Sequence, residues 1–172
     1  MTAVAGAIQL VLAVTFLLAV TAVYRDGGAA QRALEAEAAR QGIPGNLLAD
    51  QGVRLEESVL ELMLPVGIAA ILLLLGVLNL AGTDLGRLLT WIGQPILLVG
   101  GGLITAGQVF ADRYVAARFS RADDGRLRDA DVQMMLAAAR RALPVWLRPV
   151  VVARFVLTTA GSVAVLLLLA TS

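Results

Sequence analysis

The sequence predicts an all-α, polytopic integral membrane protein: four transmembrane helices in an antiparallel bundle, with a cytoplasmic amphipathic helix added. Three observations carry this. The chain of 172 residues is 59% hydrophobic and 16% charged, with a mean hydropathy of +0.82. Its apolar residues gather in four runs, 3–23, 60–81, 88–110 and 150–170. Its basic residues, all of them arginine, gather mainly between the runs. At about 1.5 Å of rise per residue, some 20 residues cross the roughly 30 Å hydrocarbon layer. Four such runs in so short a chain leave too little polar surface to cover a water-soluble core. Residues 1–172 are therefore read as one transmembrane domain.

The first run competes with a signal peptide, because Ala19-Val20-Thr21-Ala22 has the small residues of a cleavage site. No positive segment precedes it, and the apolar stretch is longer than a signal core. Cleavage would also place the most basic loop outside. The run is expected to stay as a span.

Loop 24–59 carries Arg25, Arg32, Arg40 and Arg54, and loop 111–149 carries Arg113, Arg118, Arg121, Arg126, Arg128, Arg140, Arg141 and Arg148. The link 82–87 holds only Arg87. The two long loops follow the first and third runs, so they share a side. Positive residues stay cytoplasmic, which puts both loops inside and both termini outside, in a multi-pass cell-membrane protein. Arginine as the only basic residue, among abundant Ala, Gly, Val and Leu, is the composition of a high-GC bacterial gene.

Within loop 24–59, Gly27-Gly28 opens the segment, and 29–41 reads as a polar, Ala-rich helix stopped by Gly42-Ile43-Pro44-Gly45. Asn46 can cap a further turn, and 54–60 extends the second span. The link 82–87 is a tight turn in which Thr83 or Asp84 can cap the third span. That makes the second and third spans antiparallel neighbours.

The third span is the least lipid-like. Gly93, Gly100 and Gly107 repeat at period seven, and Gln94, Gly101 and Gln108 form a parallel row one residue over. Seven residues are almost two turns, so each row runs along one face. Small residues admit a neighbouring backbone, and amides bond across helices. The rows fit a packing seam, the lining of a polar cavity, or a homo-oligomer contact. Pro95 is placed to kink the helix.

In loop 111–149, Ser120-Arg121-Ala122-Asp123 has capping-box spacing, and Asp123-Asp124-Gly125 reads equally well as a turn. A helix follows over 130–143, ended by Pro144. Val132, Met135, Leu136, Ala139 and Leu143 make one apolar stripe. Arg140 and Arg141 suit its C-terminal dipole, and Trp146 and Arg148 follow between and beside prolines. The stripe predicts a helix lying on the inner leaflet, with Arg140, Arg141, Trp146 and Arg148 as headgroup contacts. The alternative is packing against the other loop. Acids interleave with the arginines and aromatics are few, which argues against nucleic acid.

Arg154 lies about one turn inside the fourth span. An ionisable residue at that depth is a functional candidate with a partner to be named. Glu61 and Gln108 share its inner depth, which predicts a polar cluster of Arg154, Glu61 and Gln108. The alternative has Arg154 reaching lipid phosphates and Glu61 reaching water beside Glu57. Gln9, Asn79 and Gln94 read as neutral residues scattered over the outer halves of three spans.

Without Cys, His or Lys the chain offers no disulfide, no thiolate or imidazole metal site, no imidazole base, no Schiff base and no P-loop. No cofactor and no catalytic residue is expected. A lipid-active enzyme would have to work with Glu56, Glu57, Glu61, Asp123 and Asp124. The expected function is a non-catalytic accessory or scaffold subunit of a membrane complex. Its expected partners are the lipid bilayer and a membrane protein or further copies of itself. A small oligomeric channel, transporter or holin-like permeabilising protein is the alternative.

Overall fold

The computed structural model describes residues 2–55 and 58–170. These are mostly helical, with no strand among the described residues. Four helices are long and apolar enough to cross a membrane: α1 (Thr2–Arg40), α3 (Val59–Leu80), α4 (Asp84–Val109) and α8 (Leu147–Ala170). Four shorter ones lie between them: α2 (Gly45–Asp50), α5 (Ala111–Phe119), α6 (Gly125–Arg128) and α7 (Val132–Arg141).

The chain divides into two compact units. A four-helix unit takes residues 1–20, 60–109 and 148–172; a loop unit takes 21–59 and 110–147. The connections read from the sequence as parts of one domain thus make a unit with its own core.

The four-helix unit packs Leu12, Ala13 and Phe16 of α1 against Ala69 and Leu72 of α3, with Leu97 of α4 and Leu157 of α8 alongside. Helices α1 and α3 approach closely at Gly6 and Gly76. A Cβ at Gly6 would lie 2.7 Å from the Gly76 carbonyl oxygen, so both positions require glycine's missing side chain. Helix α3 ends in a Schellman motif: Gly82 takes φ 67°, its N–H bonds to the Asn79 carbonyl at 3.1 Å, and the Thr83 N–H bonds to Leu78 at 3.1 Å. Thr83, rather than Asp84, then caps α4, its hydroxyl accepting from the Gly86 N–H. Arg87 donates to the Leu169 carbonyl at the end of α8 at 3.1 Å, where a cation suits the helix dipole.

Both α4 and α8 contain a π-helical turn, Leu97–Gly101 and Leu157–Gly161, and the two turns touch. Gly100, Gly101, Gly102 and Gly161 sit at these turns, where weak helix formers ease departure from α geometry. The first turn begins two residues after Pro95.

Helix α1 corrects the expected break at Gly27-Gly28. It runs unbroken through both glycines to Arg40. Two interior glycines cost about 1 kcal/mol each against alanine. The Ala-rich sequence that follows favours helix, and Ala30, Leu34 and Ala38, at successive i+4 steps, are fully buried in the loop-unit core. That burial outweighs the glycine cost. The predicted stop at Gly42 stands in a second Schellman motif: Gly42 has φ 76°, and the Ile43 N–H reaches the Ala38 carbonyl at 2.9 Å.

The rest of that core is Ile43, Leu48, Val53, Phe119, Leu127, Val132, Met135, Leu136 and Ala139. The apolar stripe predicted on α7 is therefore present, but it packs against the other loop and is not presented to a leaflet. Packing against so many apolar side chains removes the stripe from water. Asp131 caps α7 through the Met134 N–H, and Asp124 caps α6 through the Arg126 N–H. The capping box predicted at Ser120 does not form, because Ser120 ends α5 and donates to the Ala117 carbonyl. Asn46 lies inside α2, which begins after Pro44 without a side-chain cap bond. Residues 53–55 and 58 are not helical, so the expected extension 54–60 reduces to a start at Val59.

Candidate functional site

The four-helix unit is polar at its centre. Gln9, Asn79, Thr90, Gln94 and Ser162 are each 0–1% exposed and come from α1, α3, α4 and α8. The Gln9 amide donates to Thr90 Oγ1 at 3.2 Å and to Gln94 Oε1 at 3.1 Å. The Asn79 amide donates to Gln9 Oε1 and to Thr90 Oγ1, both at 2.8 Å. The Gln94 amide donates to Ser162 Oγ at 2.9 Å. One network thus ties all four long helices, which corrects the reading of Gln9, Asn79 and Gln94 as scattered. Every member is a neutral amide or hydroxyl, so the network fixes helix rotation and register without carrying charge. Such bonds average about 0.6 kcal/mol each between helices in membranes.

A second polar contact lies on the far side of the π turns. Arg154 is 4% exposed; it donates to Gln108 Oε1 and its guanidinium stacks on Phe16, 4.9 Å from the ring centre. Of the predicted cluster, Arg154 and Gln108 are thus brought together, with Phe16 added. Glu61 occupies an exposed position in the first turn of α3. Between the two polar layers, Thr105 is buried and bonds back to Gly101 and Gly102. Thr158 is buried with no hydrogen-bond partner for its hydroxyl among the described residues.

The two predicted rows of α4 fare differently. Gln94 and Gly101 are buried, and a Cβ on Gly101 would come within 3.0 Å of Thr158 Cγ2. Gly93 has only Leu75 near its missing side chain, and Gly100 and Gly107 face open space. Gln108 is largely exposed although it accepts from Arg154. Residues seven apart share a face only where α geometry is unbroken. The π turn adds a residue, so positions after it rotate out of the row, and burial passes to Gly102 and Thr105.

In the loop unit, Arg140 pairs with Asp112 of α5, while Arg141, Trp146 and Arg148 are exposed. Gln41, the residue after α1, exchanges bonds with Asp131: the Asp131 N–H reaches Gln41 Oε1 at 2.8 Å, and the Gln41 amide reaches the Asp131 carbonyl at 3.3 Å. Asp124 chelates Arg126 through both carboxylate oxygens. That hydrogen bonding holds the Asp124 carboxyl below its ordinary value of 3.8 and raises the Arg126 guanidinium in turn. The same unit holds a cleft of about 610 Å3 lined by the 51–53 turn, by Tyr114, Val115, Ala117 and Arg118 of α5, and by 121–123. Arg118 bridges the two walls, donating to the Gln51 carbonyl at 2.5 Å.

No family model, curated protein or solved structure matches this chain. The site must be judged on its own chemistry. Among the described residues no three acidic side chains gather to hold a metal. Of the acids an enzyme would have needed, Glu56 and Glu57 lie outside the described residues.

Sequence reasoning missed Thr90, Ser162, Phe16 and the Gly6–Gly76 crossing. Ser162 falls eight residues after Arg154 and four after Thr158, a helical stripe of polar residues in an apolar run, and that signal was readable. Phe16 carries none, being one apolar residue among many.

Proposed function

We propose that this chain is a non-catalytic accessory or scaffold subunit of a membrane complex. The long helices cross the membrane, the loop unit lies on the cytoplasmic side and both termini lie outside. The inside-out character of the four-helix unit supports insertion: large apolar side chains such as Leu74, Ile92, Leu103 and Leu167 are exposed while amides fill the centre, the arrangement that lipid requires. The arginine-rich loop unit supports the orientation. The observation that carries the scaffold reading is that the two loops fold on a core of their own, far more structure than mere connections between spans need. The channel alternative loses support because the central amides and hydroxyls of Gln9, Asn79, Thr90, Gln94 and Ser162 bond to one another.

Chemical cross-linking of the full chain in its native membranes should yield a discrete heteromeric product; a monomer under all conditions would overturn the accessory reading. Topology has a clean test because the chain has no cysteine. Thr2→Cys should react with a membrane-impermeant maleimide in intact cells, and Gln133→Cys only after permeabilisation. Dye release on expression would favour the permeabilising alternative.

A further inference from the structure

We propose that the cleft of the loop unit receives a short acidic peptide segment of the partner protein, its carboxylate held by Arg118 and Arg121. The proposal deepens the scaffold reading and rests on it. A volume of about 610 Å3 is in the range of built ligand sites, roughly 300–1,000 Å3. The floor is apolar, with Val53 buried and Val115 half-buried. Tyr114 stands on the wall at 58% exposure, offering a rigid ring and a hydroxyl.

The cationic side is preorganised. The Gln51 carbonyl takes one Nη of Arg118, which leaves the remaining N–H groups of the guanidinium fork for a carboxylate. Gly52 makes room for this: with φ 64° it closes the turn, and a Cβ there would lie 2.9 Å from Arg118 Nη1. Arg121 follows in the next turn, its N–H bonded to the Arg118 carbonyl. Its exposed side chain has no ion-pair partner among the described residues. Two arginines in one open cleft form the pattern that binds acidic motifs.

Asp123 on the same lining decides between occupants. An anionic lipid surface has a net negative potential, and Asp123 would oppose it. A peptide presents backbone N–H groups and side-chain donors beside its acid, and those fit Asp123. The mixed lining therefore favours a peptide.

The test places a photo-reactive benzoylphenylalanine at Tyr114 in the full chain, in native membranes, with the same probe at exposed Gln133 as a control outside the cleft. The Tyr114 probe should give an adduct whose cross-linked segment, read by mass spectrometry, contains Asp or Glu. Arg121→Glu should lower that yield by about tenfold, as loss of a charge-assisted contact implies. Arg121 is exposed and has no side-chain hydrogen bond or ion pair among the described residues, so such a loss does not report unfolding. Arg118→Gln should act in the same direction. An unchanged yield in Arg121→Glu, a segment without acids, or adducts to lipid alone would overturn the cleft assignment. Adducts at Gln133 with none at Tyr114 would overturn it while leaving the scaffold reading intact. No protein adduct at either site, together with a monomer in chemical cross-linking, would remove both.

Discussion

The two units of this chain are built on opposite plans. In the loop unit, Leu34, Ile43, Leu48, Phe119 and Met135 are buried and arginines face outward. In the four-helix unit, Gln9, Asn79, Thr90 and Gln94 are buried and leucines face outward. The proposed insertion of the four-helix unit in a membrane would account for the contrast. In water, removing apolar area contributes roughly 25 cal/mol per Å2, so a core of aliphatic side chains is enough. Between helices in lipid that gain vanishes, since a neighbouring helix is no more apolar than a lipid chain. Close glycine contacts and side-chain hydrogen bonds remain, and those are what α1, α3, α4 and α8 use.

The largest effect should therefore come from the loop core. Phe119 is 1% exposed, and Phe119→Ala should cost about 3–5 kcal/mol. Hydrogen exchange would show this as lost protection confined to 21–59 and 110–147, with the four-helix unit unchanged. Leu74→Ala, on the exposed face of α3, should leave stability almost untouched. If both substitutions cost alike, the contrast between the units is wrong. Next in size is Gly76→Ala. The added methyl would meet Leu10 at 2.7 Å and the Gly6 carbonyl at 3.1 Å, for about 1–3 kcal/mol of overpacking. Thermal unfolding in detergent would measure it; Gly67→Ala, facing open space on the same helix, is the control and should hold stability or raise it by up to about 1 kcal/mol.

How much of this was legible depended on the range of each interaction. The four long helices were readable because hydropathy and length are local properties. Helix ends at Gly42 and Thr83 were readable because capping is decided within a few residues. Continuity of α1 through Gly27-Gly28 was not, since local propensity argued for a break and tertiary burial of Leu34 overrode it. The apolar stripe of α7 was read correctly as a stripe, but a stripe does not say whether lipid or protein covers it. The Gln108–Arg154 contact was reachable from shared depth alone. The Gln9–Asn79–Thr90–Gln94–Ser162 network was not, because it needs the rotation of four helices at once, and a π turn alters the rotation of one of them.

The network offers a finer test of the polar plan. Gln94→Leu removes the acceptor of Gln9 and the donor to Ser162, and should cost about 1–2 kcal/mol in detergent unfolding. Thr158→Val should behave in the opposite sense. It keeps the shape and deletes a buried hydroxyl that has no partner among the described residues, so stability should hold or rise by up to about 1 kcal/mol. A cost at Thr158 equal to that at Gln94 would mean that polarity in this unit stabilises wherever it occurs, and not only where bonds form.

The smallest effect should be electrostatic and confined to the loop unit's surface. The Asp124 carboxyl is held below 3.8 by its bonds to Arg126. A lowered folded-state value means that the pair stabilises fully above the unfolded carboxyl value. That contribution is lost as pH falls from there through the folded value. Asp124 is partly exposed and the pair lies at the surface, screened by salt, so its worth is minor. Wild type should thus lose slightly more stability between pH 7 and pH 3 than Asp124→Asn does, and 1 M salt should narrow the gap. Equal acid sensitivity of the two proteins would assign the titration to other carboxylates and leave Asp124 with its backbone cap on Arg126 as its only role.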